Sequence, residues 1–376
     1  VGTSPKRILH IVSSMERGGA ETLIMNIYRN LDRSKIQFDF ISHSNKQGDY
    51  EKEIIELGGR IFKIPSLGQL GPYTYIKELV KIMSANSFIA VHAHTDFQSG
   101  FPALAAKISG ITNRICHSHS NNWHKGNRYY EKITLKVLQT IIRFTATHYC
   151  SCSKEAAEFL FGKKMFNDGK VRILKNGIDI NQFESKKNYR KSVSEELGIP
   201  DNSKIIGHVG RFSESKNHIF ILKILKELLE KDSSFFALLI GEGPLKKQIE
   251  KDAQTLGILK HIRFLGVRED IPRLMKAFDV FLFPSQFEGF GIVALEAQSA
   301  GTPCVISNKV PITTDMGLGL TSYLSLDERL ENWCTEINDA LEKDRPSSRL
   351  IKEEISKRGY NIQSNVNDWI NLYGAS

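Results

Sequence analysis

Short apolar runs, each closed by a glycine or polar turn and followed by an amphipathic stretch, recur along the whole chain. Few folds accept that alternation. Ile8, Leu9, Ile11 and Val12 form the first run, Gly18-Gly19 make the turn, and Leu23, Ile24, Ile27 and Leu31 then share one helical face. The same order returns with FDFIS (38–42) and a helix over 50–59, and with the strands FIAVHAHTD (88–96) and NRICHSHSNN (113–122). It continues with IIGHVG (205–210), FFALLIG (235–241), IRFLG (262–266) as an edge strand, and DVFLFP (279–284). Strands alternating with helices build mostly parallel sheets with helices on both faces, an α/β class. At 376 residues the chain exceeds one ordinary α/β domain and suits two. Beyond TPCVIS (302–307) the pattern weakens, and helices are expected over 328–343, 347–358 and at the C-terminal end.

The densest stretch is FPSQFEGFGIVALEAQSAG (283–301), where a buried strand enters a glycine-rich loop and then a helix with Ile292, Leu295 and Ala300 on one face. A helix that starts from a glycine turn has free backbone N–H groups and a positive dipole end, which suit phosphate. Glu288 precedes the helix and Glu296 lies two turns into it. Carboxylates on either side of a phosphate turn suit a ligand with phosphates and hydroxyls, such as a nucleotide sugar. An N-terminal helix carboxylate and a solvated helix glutamate fit the spacing equally well. Arg211 and Lys216 share another strand-to-helix loop, where two cations can clamp a diphosphate or simply be solvated. Gly18 and Gly19 lie at a strand's C-terminal end, where open parallel sheets bind ligands, although plain turns of this kind are common. Gly241-x-Gly243 is no dinucleotide fingerprint, because Pro244 interrupts it.

Two histidine pairs, His92/His94 and His117/His119, end neighbouring strands, and period-two spacing puts each pair on one face. Zinc would need further ligands at the usual spacing; strand histidines more often hydrogen-bond. Five irregularly spaced cysteines read as reduced thiols of a cytosolic protein. No apolar run reaches the length of a membrane span, and the polar lead VGTSPKR meets the first strand without a signal-type apolar region. A net charge of +9 calls for an anionic partner: nucleic acid, acidic lipid or a phosphate ligand. Residues 123–147 combine an apolar helix face (Tyr130, Ile133, Val137, Leu138, Ile141) with Lys125, Arg128, Lys132, Lys136 and Arg143 and nearby aromatics. Such a segment either packs in the core with a solvated basic side or lies on an anionic membrane. No RNA-recognition motif is present.

Taken together, Glu288-x7-Glu296 with its glycines, the following AQSAGTPCV, and GRFSESKN (210–217) resemble retaining glycosyltransferase family 4 in motif and order. The resemblance implies a GT-B fold: two Rossmann-like parallel-sheet domains facing a cleft. NGID (176–179) resembles the segment joining them, which gives an acceptor-binding domain over 1–184 and a nucleotide-sugar-binding domain over 185–358. A C-terminal helix over about 359–376 would return to the first domain. It further implies His119 as the active-site histidine beside the reacting sugar, with His94 on the acceptor side. Glu288 would face the donor sugar, and Glu296 would bind the ribose hydroxyls. Arg211 and Lys216 would hold the diphosphate. Phe290, Gly291, Ile292 and Val293 would form the phosphate turn, Val267 and Arg268 would meet the base, and Gly18 and Gly19 would approach the donor.

The reaction implied is transfer from a nucleotide sugar, with a UDP-sugar the default, to a saccharide or lipid-linked saccharide in surface-polysaccharide synthesis. It retains configuration and requires neither metal nor other cofactor. Glu288→Ala is expected to cripple turnover and leave nucleotide affinity nearly intact. Expected partners are the nucleotide sugar, the acceptor and an anionic membrane met through 123–143 on the cytoplasmic side, with no nucleic acid. The region 308–325 lacks the family's glycine-rich acidic segment. A GT-B sugar-nucleotide epimerase and a two-lobed, non-enzymatic solute-binding protein remain the alternatives.

Overall fold

The computed structural model describes residues 4–119, 129–184 and 189–375. The chain divides into two compact units, Val1–Ile178 with Ile362–Ser376, and Asp179–Asn361. Residues 179–184 thus fall to the second unit although the sequence places the boundary at 184/185. Asp179 caps the short turn Ile180–Phe183 by accepting from Asn181 N, and that turn contacts the helix Ile271–Ala277.

The first unit holds a seven-stranded sheet: β1 (Lys6–Val12), β2 (Ile36–Ser42), β3 (Ile61–Lys63), β4 (Phe88–Ala93), β5 (Asn113–Ser118), β6 (His148–Ser151) and β7 (Val171–Ile173). Its order is β3-β2-β1-β4-β5-β6-β7, and all pairings are parallel. Alternate residues of β1 enter different cores. Ile8 and Val12 pack with the helix Gly19–Arg29, and Leu9 and Ile11 with the helix Leu67–Ser84. The helix Ile362–Leu372 completes the first of these cores through Ile362, Val366, Trp369 and Leu372. It lies so close to Gly177 that a Cβ there would meet Asn365 Oδ1 at 1.7 Å.

The second unit holds six parallel strands: β8 (Lys204–Val209), β9 (Phe235–Ile240), β10 (Ile262–Gly266), β11 (Val280–Phe283), β12 (Cys304–Ser307) and β13 (Thr321–Leu324), in the order β10-β9-β8-β11-β12-β13. IRFLG is the edge strand, as expected. β13 was not legible in the sequence: its four residues are mostly half-buried and carry no apolar run.

Two helices differ from their sequence reading. Ile292–Ser299 is buried on most sides, including Ala294, Ala297, Gln298 and Ser299, rather than on one apolar face. In the helix Tyr129–Thr145, Ile142 is buried, whereas Ile133, Val137 and Phe144 are 47%, 53% and 76% exposed. The apolar face expected there therefore splits into an inner and an outer stripe. Trp123, Lys125 and Arg128 lie outside the described residues.

Candidate active site

In the second unit the strand order reverses beside β8, which pairs with β9 on one side and β11 on the other. Loops leaving the C-terminal ends of two such strands part company, and the crevice between them is where open α/β sheets bind ligands. The loop after β8 carries Arg211 and Lys216; the loop after β11 carries Glu288 through Gly291. Three contacts stitch these loops together. Gln286 N donates to Ser215 O at 2.8 Å, Asn217 Nδ2 donates to Pro284 O at 3.2 Å, and Lys216 Nζ donates to Glu288 Oε1 at 2.5 Å. Asn217 adopts a left-handed φ of 58°, which aims its amide at the neighbouring loop while starting the helix His218–Leu229. Lys216 and Glu288 are mostly buried, at 20% and 12% exposure, and the ammonium sits 5.0 Å over the Phe283 ring. Arg211 is exposed.

Gly291 caps the helix Ile292–Ser299 from the left-handed region, φ 86°, where only glycine is relaxed. It has no side chain to occupy the helix start, and the first N–H groups of any helix lack intrahelical partners. Val293 and Glu296 are the half-buried positions of this otherwise buried helix. Burial raises the Glu296 carboxyl to about 7. Among the described residues its side chain has no hydrogen-bond or ion-pair partner, unlike Glu288. Phe290 turns its ring inward, 3% exposed and stacked on Tyr360 at 5.0 Å, so it offers the site backbone alone.

The atypical segment after β12 braces this loop. Thr314 Oγ1 donates to Phe290 O, and Gln298 links the helix to the same segment by donating to Thr314 O and accepting from Met316 N. Sequence reading missed Thr314 and Gln298, whose partners lie 16 to 24 residues away.

The turn after β10 brings Val267 to the surface, 41% exposed. The Arg268 guanidinium instead joins Asp270 and Glu196, with Arg273 closing the network. A ligand at this turn would therefore meet backbone more readily than the Arg268 side chain. Gly241 and Gly243 serve packing: a Cβ on either would press on the carbonyl of Gly210 at 2.2 Å or of Phe212 at 2.5 Å.

The first unit gathers a layer of five histidines. His10 pairs in register with His92, and His94, His117 and His119 complete the layer across β1, β4 and β5 and the residues just beyond them. His10 Nδ1 lies 3.0 Å from His94 Nε2, His94 Nδ1 lies 2.8 Å from His119 Nε2, and His92 Nε2 lies 3.1 Å from His117 Nδ1. Trp369 and Tyr373 pack against the rings, and the Tyr373 hydroxyl meets His92 Nδ1 at 2.8 Å. Burial lowers every one of these imidazoles, His10 to about 3 and His119 to about 4.

His10/His92/His94 and His94/His117/His119 are close enough to share an ion. Two nitrogens on a zinc tetrahedron, however, stand about 3.3–3.4 Å apart given bonds of about 2.0–2.1 Å. The shorter separations found here are those of rings sharing protons. His119 is half-buried, and its backbone N–H donates to Asp96 Oδ1 at 2.9 Å from a left-handed Asp96, φ 45°. His10 was missed because RILHIV reads as an ordinary buried strand. Only the strand order brings it beside His92.

At the other glycine turn, Gly18 caps the helix Gly19–Arg29 with extended φ and ψ of −109° and 172°. The Glu21 carboxylate folds back to within 2.2 Å of where a Gly18 Cβ would stand, so this helix start already has an acid beside it. Gly19 faces open space.

Two family profiles match the chain: Glycosyltransferase Family 4 over residues 17–182 and Glycosyl transferases group 1 over residues 190–357. The putative glycosyltransferase EpsF of Bacillus subtilis (strain 168) is 42% identical over 377 residues, covering 100% of this chain and 98% of its own length. The UDP-Gal:alpha-D-GlcNAc-diphosphoundecaprenol alpha-1,3-galactosyltransferase of Escherichia coli is 25% identical over 312 residues, 80% of this chain and 79% of its own. Among solved structures, Anabaena HepE in complex with UDP-glucose has the same fold, with a TM-score of 0.79 at 20% identity over 98% of this chain and 100% of its own.

Proposed function

This chain belongs to the group 1 glycosyltransferases with the GT-B fold, and we propose that it is a retaining, metal-independent transferase that uses a UDP-sugar. The acceptor is a saccharide or lipid-linked saccharide on the way to an exopolysaccharide or capsule. UDP is supported by the E. coli relative, named for UDP-Gal, and by the fold neighbour solved in complex with UDP-glucose. The name of the same E. coli relative supports a lipid-linked acceptor. Family membership sets aside the non-enzymatic solute-binding reading.

One observation carries the proposal: at the reversal of the second sheet, the loop bearing Arg211 and Lys216 is joined by the Lys216–Glu288 ion pair to the loop that ends in the Gly291 helix start. In the reaction the bond from the sugar C1 to the β-phosphate oxygen breaks, and a bond from C1 to the acceptor oxygen forms on the same face. The acceptor's proton passes to the departing diphosphate. Arg211, Lys216 and the helix start offset the charge gathering on that leaving group. Their presence supports a reaction without a metal. Glu296 accepts from the ribose hydroxyls, Glu288 faces the donor sugar and His119 hydrogen-bonds it, with His94 behind His119.

The exposed stripe of Ile133, Val137 and Phe144, flanked by exposed Lys136 and Arg143, supports peripheral contact with an anionic membrane. No described helix is long and apolar enough to cross one. The test is UDP release from UDP-hexoses, with EDTA and a polyprenyl-diphosphate saccharide, followed by NMR of the product's anomeric centre. EDTA-resistant release with the donor's configuration kept is expected. Inversion, EDTA sensitivity, or nucleotide release that ignores the acceptor would overturn the corresponding part.

A further inference from the structure

His10, His94 and His119 are joined ring to ring, His10 Nδ1 to His94 Nε2 and His94 Nδ1 to His119 Nε2. A neutral imidazole has one N–H and one lone pair. The three rings therefore share one direction: every N–H points from His10 toward His119, or every one points back. Burial keeps all three neutral near pH 7.

The far end decides the direction. His10 Nε2 is buried and has no hydrogen-bond partner among the described residues. If the N–H groups point back, that atom carries a buried, orphaned N–H; if they point forward, it is a bare lone pair. Orphaned buried N–H groups are the rarer state in native proteins. Trp369, whose ring centroid is 6.0 Å from that of His10, adds a buried indole N–H without a partner among the described residues. Indole nitrogen only donates, so a lone pair at His10 suits this corner better than another N–H.

On the reading of His119 as the group that meets the donor sugar, we propose that the chain fixes His119 as its Nδ1–H tautomer, and that His10 sets this choice through His94. His119 Nε2 is then occupied as the acceptor from His94. Nδ1, which no protein group claims among the described residues, is left as an N–H donor. His119 thereby donates to a sugar oxygen and does not take up a proton through that nitrogen. His10 and His94 are positioning residues, and His10 does so from the buried end of the relay.

The direct test is long-range 1H–15N correlation on the full chain labelled in its histidines, with signals assigned by single substitutions. Protonated Nδ1 and bare Nε2 are expected at His10, His94 and His119. A proton on Nε2 of His119, or a mixture of tautomers, would overturn the proposal. Functionally, His10→Phe should lower kcat about tenfold, the worth of one hydrogen bond, with donor KM unchanged and with the His119 signals mixed. His10→Asn, whose amide N–H replaces Nδ1–H, should restore both. Equal losses in the two variants, or no loss in either, would reduce His10 to packing. Unchanged turnover in His119→Ala would instead remove the role of His119 itself and leave the tautomer result standing.

Discussion

The two sheets share an order, with the first strand set between the second and the fourth, yet they equip the ends of those strands differently. In the second unit, loops braced by backbone and side-chain contacts hold one exposed and one paired cation, a bare helix start and a half-buried carboxyl. In the first unit, five buried or half-buried histidines line β1, β4 and β5 and the residues just beyond them, and the helix start there already has Glu21 folded against it. The same topology thus carries a loop pair with cations and carboxylates in one unit and a layer of hydrogen-bonded histidines in the other. Charge in the second unit and neutrality in the first are what mutation and pH can separate.

The largest expected effect comes from the cations. Arg211→Ala or Lys216→Ala should lower kcat by about 10²–10³-fold, the scale for removing a group that stabilises developing charge. His119→Ala in the first unit should cost less, about tenfold if it supplies one hydrogen bond. Steady-state kinetics of the three variants would invert the comparison if His119 proved the more costly.

Next is Glu288→Gln. The sequence led us to expect nucleotide affinity nearly intact when Glu288 is removed, but the ion pair with Lys216 alters that expectation. In the free protein Glu288 holds the ammonium that the diphosphate needs. Turnover should therefore fall while UDP binds more tightly, measured by calorimetry. Weaker UDP binding would place Glu288 among the groups that hold the nucleotide.

Gly291→Ala should lower stability by about 1–2 kcal/mol through the left-handed backbone. The new methyl would also crowd Val310 at 3.1 Å and Phe283 at 3.3 Å. A reduced Tm with weakened UDP binding is expected, whereas Gly19→Ala, in open space, should leave Tm nearly unchanged.

The smallest effect is in pH. Glu296 is raised from 4.5 to about 7, so between those values the folded chain binds more protons than the unfolded one, and this residue's contribution to stability falls as pH rises. The histidines of the first unit have the opposite sign. His10 and His119 are lowered from 6.5 to about 3 and 4, so stability is lost as pH falls below 6.5. His208 and His218 add the same sign to the second unit, at about 4 and about 2. With seven lowered histidines in the first unit, His43 and His148 included, against two in the second among the described residues, hydrogen exchange should show β1, β4 and β5 losing protection before β8 and β11 on acidification. UDP affinity should rise through pH 7 and lose that rise in Glu296→Gln.

Much of this was legible in the sequence because the signals are local. A strand, a glycine turn and a helix start lie within twenty residues, so the alternation and the edge strand could be read, whereas the pairing of the cation loop with the glycine loop, 72 residues apart at Lys216–Glu288, came only from the family resemblance. What escaped depends on distant partners. His10 acquires its meaning from β1 lying beside β4, and Thr314 from a carbonyl 24 residues earlier. β13 is too short and too polar to announce itself. The Arg268 side chain was legible as a charge, but not as a member of the Glu196–Asp270–Arg273 network.

The most direct measurement is thermal unfolding in EDTA with UDP, GDP, ADP and their sugar conjugates, repeated on Arg211→Ala/Lys216→Ala. A ligand at 100 times its Kd adds about 2.7 kcal/mol to the folded state. The account predicts that UDP or a UDP-sugar raises Tm without metal and that the double variant abolishes the rise. No rise with any nucleoside diphosphate, or an undiminished rise in the double variant, would contradict a diphosphate site at the reversal of the second sheet.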